Sequence, residues 1–545
     1  MTTPRPSGHL KSVSPTVVSG TRLVLAFLIL VGAAAGSGAV EPTSELDGLP
    51  IVRIVYDRRD IFDTSDPATS SWPYRAANAI HIKSTEGFVR SMLLFGEGDP
   101  YSEALAAESA RLLRSLGFMN PVVITATRIE GGVEVTVRTH DQWSLQIGAD
   151  AGISGGRSSY GIQLQEENLL GWGKSLTLGF DSDVERDTRS IQYRDPNILG
   201  SRWTADLIYE RHTDGDRRRV RAERPFFALD TERAWGGWWE TEELVEHLYA
   251  DGESVVEGLR STEMLRGWYG IRLSSNRVVT RRLTAGFDRQ HTSYGDWAFE
   301  ADGTAYPTPE EIEISGIRIG YEQITDNYEV LYGFRTWSAQ EDVALGPILS
   351  VAATFSAPAL GGDSRRTLFE GSFSAARHRG RWLVLGDIWA SGRFDGGDAG
   401  DVLVGAQLAA AQIGERGFQL RLLVEGTHEL ALDRQLTLGA DVGLRGWDPD
   451  TFDGTGRALA NAQWRTILFR DVLQLFSVGA VAFVDAGATW DPRVGRDTDG
   501  VRTDAGIGLL FDLSRISSTN TARVEIAFPD DGSGYVFSII GSSLF

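Results

Sequence analysis

The most regular feature of the chain is an alternation of apolar and polar residues that recurs from about residue 144 onward. It is clearest in residues 418–425, 435–445 and 504–513, where every second residue is apolar. A period of two places apolar side chains on one face of a strand and polar side chains on the other. We find no amphipathic helix of three turns in this region. The pattern therefore predicts a long succession of β-strands over residues 143–545.

Two architectures accept such strands: a soluble sandwich, which buries the apolar face, and a transmembrane barrel, which turns it toward lipid. Three features favour the barrel. The polar faces carry charges such as Arg421 and Asp441, acidic Gly-rich stretches of variable length separate the strands, and Trp and Tyr recur near strand ends. Dividing residues 144–545 among sixteen strands leaves about 25 residues for each strand with its loop, enough for a span of roughly 9–11 residues. We predict about sixteen antiparallel strands.

The last segment of the chain, residues 535–545, is strand-like and apolar. An unpaired strand edge in lipid leaves backbone polar groups without partners, so a barrel must close on itself. We expect the final strand, with Tyr535, Phe537 and Phe545, to pair with the first strand near residues 144–151.

The region before the barrel, residues 40–142, has a mixed pattern that predicts a small α+β domain. Its order is strand, helix, helix, strand, strand. Ser102 is a candidate N-cap of the second helix, and Gly117 can end that helix. The elements are predicted over residues 51–56, 85–94, 102–116, 122–127 and 133–138.

Residues 1–39 have the pattern of a secretory signal peptide. Basic residues precede a stretch, residues 23–35, that is apolar or small throughout, and Ser37 and Ala39 follow as small residues for cleavage. The stretch is shorter than the ~20 residues that a membrane-spanning helix needs. An uncleaved membrane anchor is the alternative.

Composition narrows the function classes. The 53 Lys and Arg against 74 Asp and Glu give a net charge of −21, which argues against nucleic acid as a partner. The chain has no Cys, and its 8 His are scattered without ligand spacing, so we predict no metal site and no cofactor. Nothing pairs carboxylates for acid–base work. We expect no catalytic residues and no enzyme activity.

Short motifs give the chain a family resemblance. Four of them lie in or near the small domain and the first strands, and two lie late in the barrel. They are Gly98–Tyr101, Leu116–Phe118, Glu167–Lys174, Arg194–Asn197, Leu444–Trp447 and Phe483–Gly487. With them, residues 48–545 resemble the BamA/TamA outer-membrane assembly superfamily, in which periplasmic polypeptide-transport-associated (POTRA) domains precede a sixteen-stranded barrel.

The most specific motif is Leu444–Trp447. It is similar to a motif of this superfamily that lies at the tip of a long loop, which folds back into the barrel lumen. The resemblance implies that this loop arginine, here Arg445, pairs with a strand aspartate, here Asp485. Two ordinary lumen charges in a porin-like barrel are the alternative. The loop motif comprises Leu444, Arg445, Gly446 and Trp447, and the partner strand carries Phe483, Asp485 and Gly487.

The resemblance implies a factor of the bacterial outer membrane that inserts or exports client polypeptides. POTRA domains, which lie in the periplasm, capture unfolded strands by β-augmentation, and a lateral seam between the first and last strands accepts them. Implied partners are outer-membrane lipids, lipopolysaccharide, unfolded clients and periplasmic accessory proteins. A passive channel and a lipid-handling or structural barrel are the alternatives. The sequence departs from the family in having Gln463 where relatives commonly carry Glu, and in having one POTRA-like unit.

Overall fold

The computed structural model describes residues 44–154, 157–183, 185–276, 278–492, 500–516 and 521–540. The predicted signal peptide, residues 1–39, lies outside these residues, as does Phe545. No helix among the described residues is long and apolar enough to cross a membrane.

The amino-terminal part is a small domain with three helices and a three-stranded sheet, and two of the helices contribute buried residues to its core. Strand β1 pairs in parallel with β3, and β3 pairs antiparallel with β2, so β2 is an edge strand. The elements are β1 (Ile51–Arg59), α1 (Trp72–Ile80), α2 (Glu86–Met92), α3 (Glu103–Arg114), β2 (Met119–Ile129) and β3 (Gly132–Asp141).

Local sequence explains the helices of this domain. The Thr85 side chain caps α2 by accepting a hydrogen bond from the Phe88 amide at 3.2 Å. Helix α3 buries Ala106, Ala110 and Leu113 in one core with the valines of β3. Helix α1 was not predicted from the sequence, and none of its residues is buried.

The rest of the described chain forms a closed antiparallel barrel. Strands pair in sequence order, and the last strand pairs with the first. The wall strands are β4 (Leu145–Ser154), β5 (Arg157–Leu169), β6 (Lys174–Ser182), β7 (Asp187–Asp195), β8 (Thr204–His212), β9 (Asp216–Arg224), β10 (Arg233–Ala250), β11 (Glu253–Ser275), β12 (Val279–Phe299), β13 (Ile312–Thr325), β16 (Ile348–Ser356), β17 (Arg366–Arg379), β18 (Trp382–Asp395), β19 (Asp398–Gln412), β20 (Arg416–His428), β23 (Gly456–Val472), β24 (Phe476–Trp490), β25 (Arg502–Leu513), β26 (Ala522–Pro529) and β27 (Val536–Ile540). Two short hairpins lie outside the wall: β14 (Tyr328–Leu331) with β15 (Glu341–Ala344), and β21 (Leu436–Leu438) with β22 (Phe452–Gly454).

The barrel class is confirmed, but the predicted number of sixteen strands is wrong. The described residues form a ring of twenty strands. The average of 25 residues per strand failed because strands β6 to β9 have only nine residues each and because several turns contain two residues. Two-residue turns lie at 251–252, 380–381 and 396–397.

The wall is apolar outside and polar inside. On β20, Phe418, Leu420, Leu422 and Val424 are 41–52% exposed, whereas the intervening Gln419, Leu423 and Glu425 are at most 7% exposed. Exposed apolar and buried polar residues are the reverse of a soluble sheet and suit a wall in contact with lipid. The strands predicted over residues 418–425 and 504–513 are confirmed.

The strand predicted over residues 435–445 is wrong. Only Leu436–Leu438 forms a strand, and residues 439–447 are turns and loop. The alternation there coincides with close approach between loop segments: a Cβ on Gly439 would lie 2.1 Å from the Asp448 carbonyl oxygen. Glycine therefore reflects a tight turn at this position, not the polar face of a strand.

The small domain lies against the turns at one end of the barrel. The Thr85 amide donates to the Gly171 carbonyl at 2.8 Å, and the Asn197 side chain donates to Ser91 Oγ at 2.8 Å. A Cβ on Gly173 would overlap the Phe88 ring at 2.0 Å. The motifs at Glu167–Lys174 and Arg194–Asn197 thus provide turns that fit the small domain.

Candidate functional site in the lumen

The segment between β20 and β23, residues 429–455, folds back inside the barrel; we call it the lumen loop. The hairpin of β21 and β22 forms its stem. Its tip touches the inner faces of β24 and β25, whose outward neighbours Val484 and Ile507 are exposed. The loop motif predicted from the sequence lies at this tip.

Arg445 and Asp485 form a bidentate ion pair. Arg445 Nε donates to Asp485 Oδ2 at 2.8 Å, and Arg445 Nη2 donates to Asp485 Oδ1 at 2.9 Å. Asp485 is 0% exposed and Arg445 is 8% exposed. The guanidinium carbon lies 3.5 Å from the centroid of the Phe483 ring, so the cation also stacks on an aromatic face. The pair joins the loop to the middle of β24.

Neighbouring strands complete this clamp. Asn461 Nδ2 donates to Asp485 Oδ1 and to the Gly443 carbonyl, each at 2.7 Å. Arg445 Nη1 lies 3.5 Å from Glu525 Oε1 on β26. The clamp therefore ties the loop to β23, β24 and β26 together.

Gln463, the departure from the family pattern, belongs to the same network. Its Oε1 accepts from Arg445 Nη1 at 3.3 Å and from Arg523 Nη2 at 3.0 Å. Arg523 also pairs with Glu525. Two arginines, Arg445 and Arg523, thus face two carboxylates. Asp485 supplies one carboxylate of this network, and Glu525 supplies the other. Sequence reasoning missed Glu525 and Arg523, for which no motif gave a signal.

Gly446 and Trp447, which follow Arg445 at the loop tip, make contacts of their own. The Gly446 amide donates to Asp504 Oδ2 at 2.9 Å, and a Cβ there would lie 2.4 Å from the Asp504 Cβ. Trp447 Nε1 donates to the Thr503 carbonyl at 3.3 Å, and its ring meets Phe452 edge-on at 5.0 Å. Glycine is required at 446 because the loop backbone approaches β25 directly.

An apolar cluster seats the stem of the loop. Leu444 is fully buried beside Leu438, and both face Gly487 on β24. A Cβ on Gly487 would lie 2.8 Å from Leu438 Cδ2. Gly487 thus makes the hollow in the wall that receives the loop.

The predicted closure residues lie at the junction of β27 with β4. Their register pairs Phe537 with Ile153 and Ile539 with Ala151. The Phe537 side chain lines an apolar hollow on the outer surface, while Tyr535 precedes β27 and is 59% exposed. Phe545 lies outside the described residues.

A second segment, which was not predicted from the sequence, enters the lumen from the end where the small domain lies. Residues 326–347, which we call the mouth strap, connect β13 to β16 and carry the hairpin of β14 and β15. Arg465 on β23 donates to the backbone carbonyls of Gly333, Phe334 and Arg335. Asp512 on β25 accepts from the Trp337 amide at 2.8 Å.

Between the lumen loop and the wall strands lies a charged cavity of about 490 Å³. Its charges are paired across neighbouring strands: Arg266 holds Asp288 through two bonds of 2.8 and 3.0 Å. Farther round the wall, Arg217 and Arg219 donate to Glu240 at 2.8 and 2.7 Å. These charges are therefore compensated by partners on neighbouring strands.

Among the described residues, one group of potential metal ligands comes together. His247, Glu257 and Glu300, from three neighbouring wall strands or their turns, place ligand atoms within 4.8 Å of one another. Both carboxylates are exposed. His247 Nδ1 already lies 2.8 Å from Ser254 Oγ. Exposed acids at strand ends often gather without an ion, so we assign no metal here.

No family model and no curated protein matches the sequence. Among similar solved structures, BamA from Haemophilus ducreyi lacking POTRA domains 1–3 is 14% identical, with 90% of this chain and 85% of that chain covered and a TM-score of 0.38. CdiB from Acinetobacter baumannii is 10% identical, with 91% and 73% covered and a TM-score of 0.43. The FrpB iron transporter from Neisseria meningitidis, an apoprotein form, is 7% identical, with 75% and 83% covered and a TM-score of 0.40. At these identities and TM-scores, the likenesses assign no function.

Proposed function

We propose that the protein is an outer-membrane factor that inserts or translocates client polypeptides. The observation that carries this proposal is the seam between the last and first strands. There β27 pairs antiparallel with β4, and Phe537–Ile539 lie opposite Ala151–Ile153. These two strands are not linked by a turn, whereas β10 and β11 form a hairpin through residues 251–252.

The wall can part at this seam without straining a hairpin connection. In lipid, each exposed backbone group lacks a water partner, which makes separation of a long strand pair prohibitive. A client strand that enters at the seam supplies the missing backbone partners. The seam thus acts as a template for a new strand.

The lumen loop determines which side of the seam moves. The clamp at Arg445 joins β23, β24 and β26, which lie immediately before β27. This sector is therefore braced from within, whereas none of the clamp residues comes from β4 or β5. We propose that the β4 side swings while the β27 side holds.

The small domain supplies a site for clients before insertion, acting in the manner of a POTRA module. Strand β2 is an edge of its sheet, and residues 123–129 pair with β3 on one side. Val123 is 41% exposed. An extended polypeptide can add to such an edge through backbone hydrogen bonds, whatever its sequence.

The test is a disulfide across the seam. Gly152 and Ser538 are register partners, and the chain has no native Cys, so G152C with S538C gives one defined bond. The protein is placed in lipid vesicles, and the folding rate of a urea-unfolded eight-stranded outer-membrane barrel is followed by gel mobility. We expect wild type to accelerate folding, the oxidised variant to lose this acceleration, and reduction to restore it.

A matched pair controls for the disulfide itself. Asp387 and Gln407 are register partners on β18 and β19, away from the seam. The oxidised D387C with Q407C protein should assist folding as wild type does. Full assistance by the oxidised seam variant would contradict the lateral seam.

The charged cavity of about 490 Å³ favours a second candidate, a passive solute channel. A channel needs a continuous path, and two inward segments occupy the lumen. Single-channel recording separates the candidates: a passive channel conducts steadily, whereas the proposed factor stays closed with brief openings.

A further inference from the structure

The mouth strap crosses the lumen at the end of the barrel where the small domain lies. It leaves the wall at β13 and returns at β16, yet it is held by residues on β20, β23 and β25. Gln419 Nε2 donates to the Phe334 carbonyl at 3.1 Å. A Cβ on Gly479 would overlap the Trp337 ring at 2.2 Å, so β24 leaves a gap for that ring. A strap in this position blocks the path from the small domain into the lumen.

The strap is also tied to the small domain. Arg114 on α3 donates to both carboxylate oxygens of Asp342, at 2.7 and 2.5 Å, and the two side chains are 7% and 15% exposed. Asn120 Nδ2 donates to the Gln340 carbonyl at 2.9 Å, and the Gln340 amide donates to Asn120 Oδ1 at 2.9 Å. One segment therefore joins the wall and the small domain.

Gln340 reaches the edge strand that a client would use. Its Oε1 accepts from the Val122 amide at 3.2 Å, at the start of the edge of β2. Together with the Asn120 contacts, this places a strap residue where the first residue of an added strand would bind. The strap and an added strand would compete for the same backbone group.

We propose that the mouth strap is a latched gate, released when an extended polypeptide pairs with β2. The peptide replaces the few bonds of Gln340 with a backbone ladder along residues 122–129, and the loss of this contact weakens the hold on the strap. The gate itself stands independently, whereas its release by a client rests on the proposed function. The partner is recognised by backbone, so the gate responds to extended chains as a class.

The latch is tested by single-channel recording of the full protein in planar bilayers. Asp342→Asn keeps the size of the side chain but removes the charge. Since a hydrogen bond to a charged group typically contributes enough for a tenfold change in an equilibrium, the open fraction should rise about tenfold or more. Arg53→Ala, which breaks the exposed pair with Glu134 in the same domain, is the control and should match wild type.

A second variant carries a disulfide between the strap and the small domain, which we call the lock, and it tests the closed state of the gate. N120C with Q340C, oxidised, should abolish openings, and reduction should restore them. Equal open fractions for wild type, Asp342→Asn and the oxidised lock would overturn the gate. If the Asp342→Asn protein does not refold, the lock variant alone tests the gate, because its disulfide is formed only after the protein has been inserted into the bilayer.

Release is tested with a peptide that copies residues 418–426, a wall strand of this chain. Added on the side of the small domain, it should raise the open fraction of wild type, and a version with prolines at alternate positions should not. If the latch variant opens but the peptide has no effect, the gate stands and its control by clients is wrong. Seam-dependent folding of a client is scored separately, so the two proposals fail independently.

Discussion

The lumen loop and the mouth strap enter the barrel from opposite ends and rest on the same sector of the wall, yet they are held by opposite chemistry. The loop brings a cation, Arg445, to the wall carboxylate of Asp485. The strap brings backbone carbonyls to a wall cation, Arg465. The main anchor of the loop on the wall is therefore a charged side chain, whereas the strap presents mainly backbone groups to the wall.

We expect the largest loss of stability from a substitution in the lumen loop. Arg445→Ala leaves the Asp485 carboxylate buried without its cation, with a hydrogen bond from Asn461, and it should destabilise the barrel by roughly 3–5 kcal/mol. Urea unfolding in detergent, followed by tryptophan fluorescence, measures the loss. A charge swap, R445D with D485R, should be more stable than either single variant; no recovery would mean that the pair does not hold the loop.

The matching change on the strap side is Arg465→Met. It removes the donors to three carbonyls while keeping an apolar stem, and unpaired carbonyls near this wall should cost about 2–3 kcal/mol. The same urea experiment applies. Because the strap carries no side-chain partner for Arg465 among these three bonds, no swap on the strap should rescue it. A cost below that of an exposed control such as Arg218→Met would contradict the assignment.

The same substitution, glycine to alanine, can be made at one contact of the lumen loop and at one contact of the mouth strap. Gly446→Ala places a Cβ against Asp504 at the loop tip, and Gly479→Ala places one against Trp337 of the strap. Each should cost about 1–2 kcal/mol through overpacking. Gly267→Ala has nothing within 4 Å of its new Cβ and is the control. The readout is the unfolding midpoint, and equal midpoints for all three would show that neither segment is seated as described.

The smallest effect concerns the attachment of the small domain near the strap. Burial raises the pKa of the Glu108 carboxyl, which accepts from the Leu229 amide at 2.8 Å. A raised acid pKa in the folded state means that stability falls as pH rises from the unfolded pKa through the folded one. Glu108→Gln should therefore match wild type at low pH and exceed it at pH 8. Unfolding midpoints at pH 4 and pH 8 measure this, and parallel pH curves would contradict it.

The family resemblance of the loop motif implied the contact between Arg445 and Asp485, whereas nothing predicted the strap, and this difference has a physical reason. Side-chain partners such as Arg445 and Asp485 leave recognisable residue types at fixed places. The carbonyls of Gly333 and Phe334 are present in any sequence, so a segment held by its backbone has no signature. Only Arg465 and Asp512, buried charges on the inner face, could have hinted that something faces them.

The same distinction explains the fold predictions. Alternation identified the wall on β20 and β25 because burial on one face acts on every second residue. The strand number was missed because turn lengths depend on local glycines and not on an average spacing. The strand expected at residues 435–445 failed because loop packing imitates the same period.

The twenty strands of the described barrel enclose a wide lumen that is filled from both ends. Barrels of sixteen to eighteen strands already leave a water-filled channel. The decisive measurement is single-channel conductance of wild type beside a variant in which residues 328–344 and 431–453 are each replaced by a short Gly-Ser turn. We predict rare, brief openings for wild type and a large, steady conductance for the variant. A wild-type protein that already conducts steadily at the level of the variant would contradict the account.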